Sequence, residues 1–181
     1  MYSLYACSLS QSISIIAVEP APNNLKYLIE NIGLNSFSAR FTVISNPLAS
    51  RVFNGTLVNP DQRPGASGAQ VQDVFSSAGH EITTVTGDLL VQKNGLNDGI
   101  LKIDVDGNEM DILLGFERSL KEKRFRSVLV ELTEFNFNEI NLFMLECGLV
   151  EDLSYRTLPL HSDSRRKANG KSESNTVFTL R

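Results

Sequence analysis

Residues 100–115 read "ILKIDVDGNEMDILLG": an apolar run closing on Asp104, then Asp106, Glu109 and Asp111, four carboxylates within eight positions. Three readings compete: a calcium loop, a helix start and an acidic site at a strand end. An EF-hand calcium loop needs Gly at its sixth position and Glu at its twelfth. Counted from Asp104, those places hold Glu109 and Gly115, and a strand-like run rather than a helix comes before them. A helix start accounts for part of the cluster. Asp106 or Asn108 can cap, and Glu109 and Asp111 fall in the first turn, where carboxylates meet the positive end of the helix dipole. Asp104 needs a different account. It sits at the carboxyl end of "GILKIDV" (99–105), and Lys102, two residues back, points to the same face. The two form a partly buried ion pair or belong to a site.

The flanking sequence alternates strand and helix patterns. "YSLYACSLSQ" suits a short helix with Leu4, Tyr5 and Leu9 near one face. "ISIIAVEP" (13–20) is a β-branched run stopped by Glu-Pro, and "RFTVIS" (40–45) is a second strand. Between them "NNLKYLIENIGLN" predicts a helix capped by Asn23 or Asn24, with Leu25, Leu28, Ile29 and Ile32 inward and Gly33 at its end. "RVFNGTLVN" and "HEITTVTGDLL" alternate as half-buried strands do, around the turn-rich loop "PDQRPGASGAQ". "NEMDILLGFERSLKEK" predicts one helix with Met110, Leu113, Leu114 and Leu120 inward. "FRSVLVEL" is a strand, and "NFNEINLFMLECG" a helix ended by Gly148. "LVEDLSYRTL" and "SNTVFTLR" suit a closing antiparallel pair. This order predicts an α/β fold with a mostly parallel, Rossmann-like sheet and an antiparallel strand at the carboxyl end. Ligands of such sheets bind at the carboxyl ends of the strands. Glu19 ends one strand as Asp104 ends another, and an acid there commonly accepts hydrogen bonds from ribose hydroxyls. Glu131 ends a third, where a solvated or structurally engaged acid is as good a reading.

With 181 residues the chain suffices for a single domain, 1–181, with its own core. A net charge of -4 argues against a general nucleic-acid binder. Cys7 and Cys147 fit no CxxC or zinc spacing and suit a reducing compartment. The sequence shows neither an apolar run of membrane-spanning length nor a signal peptide, so a cytoplasmic location is expected.

Taken together, these stretches resemble the FkbM family of methyltransferases. Family sequences read like "AFEP.P.N...L..N...N" around the second strand, where this chain has "IIAVEPAPNNLKYLIENIGLN". They read like "LKIDVEG.E...L.G" around the fourth, where it has "LKIDVDGNEMDILLG", with Asp106 in place of the usual Glu. "VLVEL", "LECGL" and the terminal "SNTVF" also fit. The resemblance implies the class I methyltransferase fold, S-adenosylmethionine (SAM) as methyl donor, and O-methylation of a small molecule, sugar or lipid hydroxyl. It implies that Glu19 holds the SAM ribose and that Asp104 and its neighbours lie beside the methyl donor. Asp104 is then the first candidate for the base or acceptor-orienting group, with Asp106 and Glu109 beside it. Where an acid usually follows the third strand, "SNPLAS" offers Ser45 and Asn46, and Asn46 is the candidate adenine contact. In "ITTVTGDLL", Gly87 departs from the family's "TLDDLL".

The resemblance also implies an absence. Class I enzymes begin with a strand and a glycine-rich turn, and this chain starts at "MYSLYAC", just after the place of that turn. The expectation is an N-terminally truncated domain, Met1 being internal to a longer protein. A non-catalytic remnant that has lost SAM binding is the rival reading. A nicotinamide-dependent dehydrogenase lacks its GxGxxG here and a phosphate-loop enzyme its GxxxxGK[ST]. His80 and His161 fall in predicted loops, where a lone histidine is usually just solvated. "RRKANGK" reads as a solvated basic loop, and Phe135, Phe137 and Phe143 as core or pocket lining.

Overall fold

A computed structural model describes residues 2–59, 61, 63, 65, 68–77, 79–155 and 173–181. The chain divides into two compact units, Met1–Val85 and Thr86–Arg181.

The first unit opens with helix α1 (Tyr2–Leu9), strand β1 (Ile15–Val18), helix α2 (Pro22–Leu34) and strand β2 (Phe41–Ile44). β1 and β2 are parallel, with Val18 opposite Ile44, so α2 is the crossover of a βαβ unit. Pro22 starts α2 at its first position, where a missing N–H costs nothing, and Ala21 rather than Asn23 or Asn24 is the N-cap. Asn24 instead accepts a hydrogen bond from the Gly65 N–H. Ile32 is the buried residue of α2, while Ile29, expected inward, is 54% exposed. On α1 it is Cys7 that is buried, and Tyr5 and Leu9 face solvent. Strands β3 (Asn54–Val58), β4 (Gln70–Gln72) and β5 (His80–Thr83) form a separate antiparallel sheet in the order β4-β3-β5. Its centre is closed by Thr56, whose buried hydroxyl donates to the Val74 carbonyl and accepts from the Ser76 N–H.

The second unit runs α3 (Gly87–Asn94), β6 (Gly99–Ile103), α4 (Glu109–Gly115), α5 (Glu117–Lys121), β7 (Phe125–Thr133), α6 (Phe137–Glu146), β8 (Leu149–Glu151) and β9 (Glu173–Leu180). Its sheet has the order β6-β7-β9-β8. β6 and β7 are parallel, and β9 is antiparallel to both its neighbours. β9 lies between β7 and β8, so the expected closing pair forms as part of a larger ladder. Leu113, Leu120, Val128, Val130, Ile140, Met144 and Phe178 are fully buried around this sheet.

Two larger expectations are also corrected. The sheet is not one mostly parallel Rossmann-like layer: among the described residues the strands divide among three sheets, and four of the six strand pairings are antiparallel. The half-buried strands β3 to β5 pair with one another, and β1 and β6 each ladder with a single partner among the described residues. The predicted helix from 108 to 123 is two helices. It breaks at Phe116, whose buried ring meets Phe125 edge-on at 5.6 Å, and Leu114, expected inward, is 40% exposed.

Candidate functional site

At the carboxyl end of the β1–β2 pair stand Glu19 and Asn46. The Glu19 N–H continues the ladder by donating to the Ile44 carbonyl at 3.0 Å, which fixes where its side chain leaves the strand. Glu19 is half-buried, and its Oε1 accepts the Ala21 N–H at 3.0 Å, serving the amino end of α2 that Ala21 cannot cap. Burial raises the carboxyl above its ordinary 4.5, and the Ala21 hydrogen bond offsets part of that rise. Oε2 takes no hydrogen bond among the described residues. Asn46 is exposed two residues beyond β2, and its Nδ2 donates to the Thr83 carbonyl at 2.8 Å. The fold thus brings these two residues to the ends of adjacent parallel strands.

At the carboxyl end of β6, Lys102 Nζ lies 2.6 Å from Asp104 Oδ2. The ion pair is partly exposed, with the side chains 23% and 44% accessible, so its worth to stability is small and its effect is to orient the carboxylate. Asp106 is exposed in the following turn. Gly107 has φ +102°, a backbone conformation that favours glycine. Asn108 is the N-cap residue of α4 and makes no side-chain capping bond. Glu109, at the first helical position, instead turns back on the preceding loop, its Oε1 accepting the Gly107 N–H at 3.0 Å.

Glu109 is 4% exposed, and its Oε2 accepts from Asn136 Nδ2 at 3.1 Å. Asn136 Oδ1 in turn accepts from the N–H and hydroxyl of Thr133 at 2.8 and 3.1 Å. Both oxygens of Glu109 are therefore spent on protein groups, unlike those of a carboxylate poised for an acceptor. Asn136 escaped the sequence reading. The only signal was an Asn at the start of a predicted helix, where capping is the ordinary explanation.

Other candidates fall elsewhere. His80 is the exposed first residue of β5, not a loop residue, and His161 and the basic loop 165–171 lie outside the described residues. Phe143 is core, Phe137 is half-buried, and Phe135 is 77% exposed. Asp88 caps α5 across the fold, accepting the Arg118 and Ser119 N–H groups at 3.3 and 2.8 Å. Beside it a cavity of about 300 Å³, lined by Val91, Gln92, Leu96, Arg118 and Arg124, lies toward the amino end of β6, away from Asp104. Among the described residues no three His, Cys, Asp or Glu side chains gather to hold a metal. No helix there is long and apolar enough to cross a membrane.

Residues 2–150 match the family described as "Methyltransferase FkbM domain". The chain is 27% identical over 141 residues to the hexuronic acid methyltransferase AglP of Haloferax volcanii, an alignment covering 71% of this chain and 51% of AglP. It superposes on the crystal structure of the methyltransferase FkbM from Methylobacillus flagellatus KT with a TM-score of 0.59 at 12% identity, covering 99% of this chain and 40% of that one. The chain thus spans about half the length, or less, of the relatives it matches, and the second likeness speaks to the fold alone.

Proposed function

The chain belongs to the FkbM family of methyltransferases, and we propose that it takes part in transferring the methyl group of SAM to an oxygen of a sugar-class acceptor. The observation that carries this reading is the placement of Glu19 and Asn46 at the carboxyl ends of adjacent parallel strands, where nucleotide-like ligands bind in α/β sheets. The residues present fit the cofactor. A half-buried carboxylate with one oxygen engaged by backbone suits a ribose diol, since two hydroxyl donors restore the solvation that burial removes. Asn46 is the residue for the adenine end.

When bound, SAM supplies a methyl group on a sulfonium, open to in-line attack. A hydroxyl acceptor must be oriented and must lose its proton as its oxygen attacks. Asp104 is the residue proposed to accept that proton, or to orient the hydroxyl by hydrogen bonding to it. Lys102 holds the carboxylate in place for either task. Asp106, exposed in the next turn, is the second carboxylate proposed to meet the acceptor. Sugar as the acceptor class is supported by what AglP is named to methylate.

The test is transfer of isotope-labelled methyl from SAM to a panel of glycosides that includes uronic acids. Asp104→Asn is expected to cut turnover by about 10²-fold or more, the usual contribution of a positioned base, with SAM binding unchanged. Equal turnover by Asp104→Asn would remove Asp104 from the reaction. A chain that binds no SAM would favour the rival, a methyltransferase fold that has lost its cofactor.

A further inference from the structure

The connection between β7 and α6 consists of Glu134, Phe135 and Asn136 alone. A single exposed apolar side chain such as Phe135 is ordinary on a protein surface. What sets this one apart is how its turn is held. Asn136 Oδ1 closes the turn on Thr133, and Asn136 Nδ2 donates to the buried carboxylate of Glu109 at 3.1 Å. The other oxygen of Glu109 accepts the Gly107 N–H at 3.0 Å. An unbroken run of hydrogen bonds therefore joins the turn carrying Phe135 to the loop carrying Asp104 and Asp106. Both connections leave the carboxyl ends of paired strands, since Ile103 stands opposite Val130. An exposed ring on a pinned turn loses little freedom when a ligand covers it. The face of a phenyl ring is electronegative and suits the polarised C–H face of a pyranose.

We propose that the turn 134–136 is a sugar-ring platform: Phe135 stacks against the pyranose of the acceptor, and Asn136, held by Thr133 and Glu109, is the positioning residue that keeps that ring in register with the loop after β6. The proposal rests on the reading of the chain as a methyltransferase with a sugar-class acceptor. It assigns specificity to Phe135 and removes Glu109 from the reacting groups, making it the second half of the clamp.

The chain contains no tryptophan, so Phe135→Trp keeps an aromatic face and provides a sole indole reporter at the platform. Titration of this variant with methyl β-D-glucuronide is expected to give a saturable change in emission. D-gluconate, an open-chain acid of the same charge, is expected to give none. In the same background Asn136→Asp sets two carboxylates against each other, and is expected to lower indole anisotropy and weaken the sugar response about fivefold. Adding Glu109→Gln exchanges donor and acceptor across the clamp and is expected to restore both. A response equal for gluconate, no response at all, or a double variant no better than Asn136→Asp would overturn the proposal. SAM binding is measured on the same samples. A missing sugar response with SAM bound defeats the platform alone, whereas loss of SAM binding by the parent protein defeats the methyltransferase reading and the platform with it.

Discussion

Asn136 and Glu109, 27 residues apart in sequence, meet side chain to side chain at 3.1 Å, with Glu109 all but excluded from solvent. Removing Asn136 strands an oxygen of a buried carboxylate, whereas removing Glu109 takes the charged acceptor from an exposed and a half-buried donor. Glu109→Ala leaves the Gly107 N–H and the Asn136 amide without their acceptor, and is expected to cost about 2–3 kcal/mol. Urea unfolding midpoints measure this, and a cost below about 0.5 kcal/mol would mean that the clamp contributes nothing to the fold.

Gly87 explains itself once Phe116 is seen. A Cβ at position 87 would land in the Phe116 ring, which is held edge-on by Phe125. Gly87→Ala is expected to destabilise by about 1–3 kcal/mol through overpacking. Pairing it with Phe116→Leu is expected to recover part of the loss, giving a non-additive double-mutant cycle. Simple additivity would show that the two positions do not compete for space.

Asp88 is the cap that α5 lacks in its own sequence, since Phe116 precedes that helix and makes no side-chain capping bond. Asp88→Ala is expected to cost about 1–2 kcal/mol, in the range of lost N-caps. Asp88→Asn keeps an acceptor oxygen and is expected to cost less. Thermal unfolding of the two variants checks the order.

Burial holds the Glu19 carboxyl above its ordinary 4.5. The folded chain therefore binds that proton more tightly than the unfolded chain does. Stability contributed by the protonated form is present below 4.5, falls as pH rises toward the raised folded value, and is lost above it. Glu19→Gln keeps an oxygen for the Ala21 N–H and never ionises. It is expected to melt higher than the parent at pH 7.5, with the gap closing by about pH 4 as Glu19 takes up its proton. A gap that does not change with pH would mean that ionisation at Glu19 does not burden the fold.

The pattern of local elements was legible because it rests on near neighbours. The β-branched run at 15–18 and the strand ending at Asp104 announce themselves, as do the helices that follow them. The sheet arrangement was not, because which strand a half-buried segment such as 54–58 pairs with is decided by residues far along the chain. The break at Phe116 has the same origin: nothing near Phe116 demands it, while Phe125 and Gly87 shape the space its ring fills. Glu19 and Asp104 could be singled out because strand ends are readable. Glu109 resembled them in sequence, and its burial against Asn136 could not be read from a first-turn carboxylate alone.

The most direct measurement is a calorimetric titration of SAM into this chain and into Glu19→Gln, with thermal unfolding of both at the same pH. The account predicts that the parent binds, that Glu19→Gln binds about tenfold or more weakly through loss of charge-assisted hydrogen bonds, and that Glu19→Gln is nevertheless the more stable fold. Equal binding by the two proteins, or none by the parent, would contradict it.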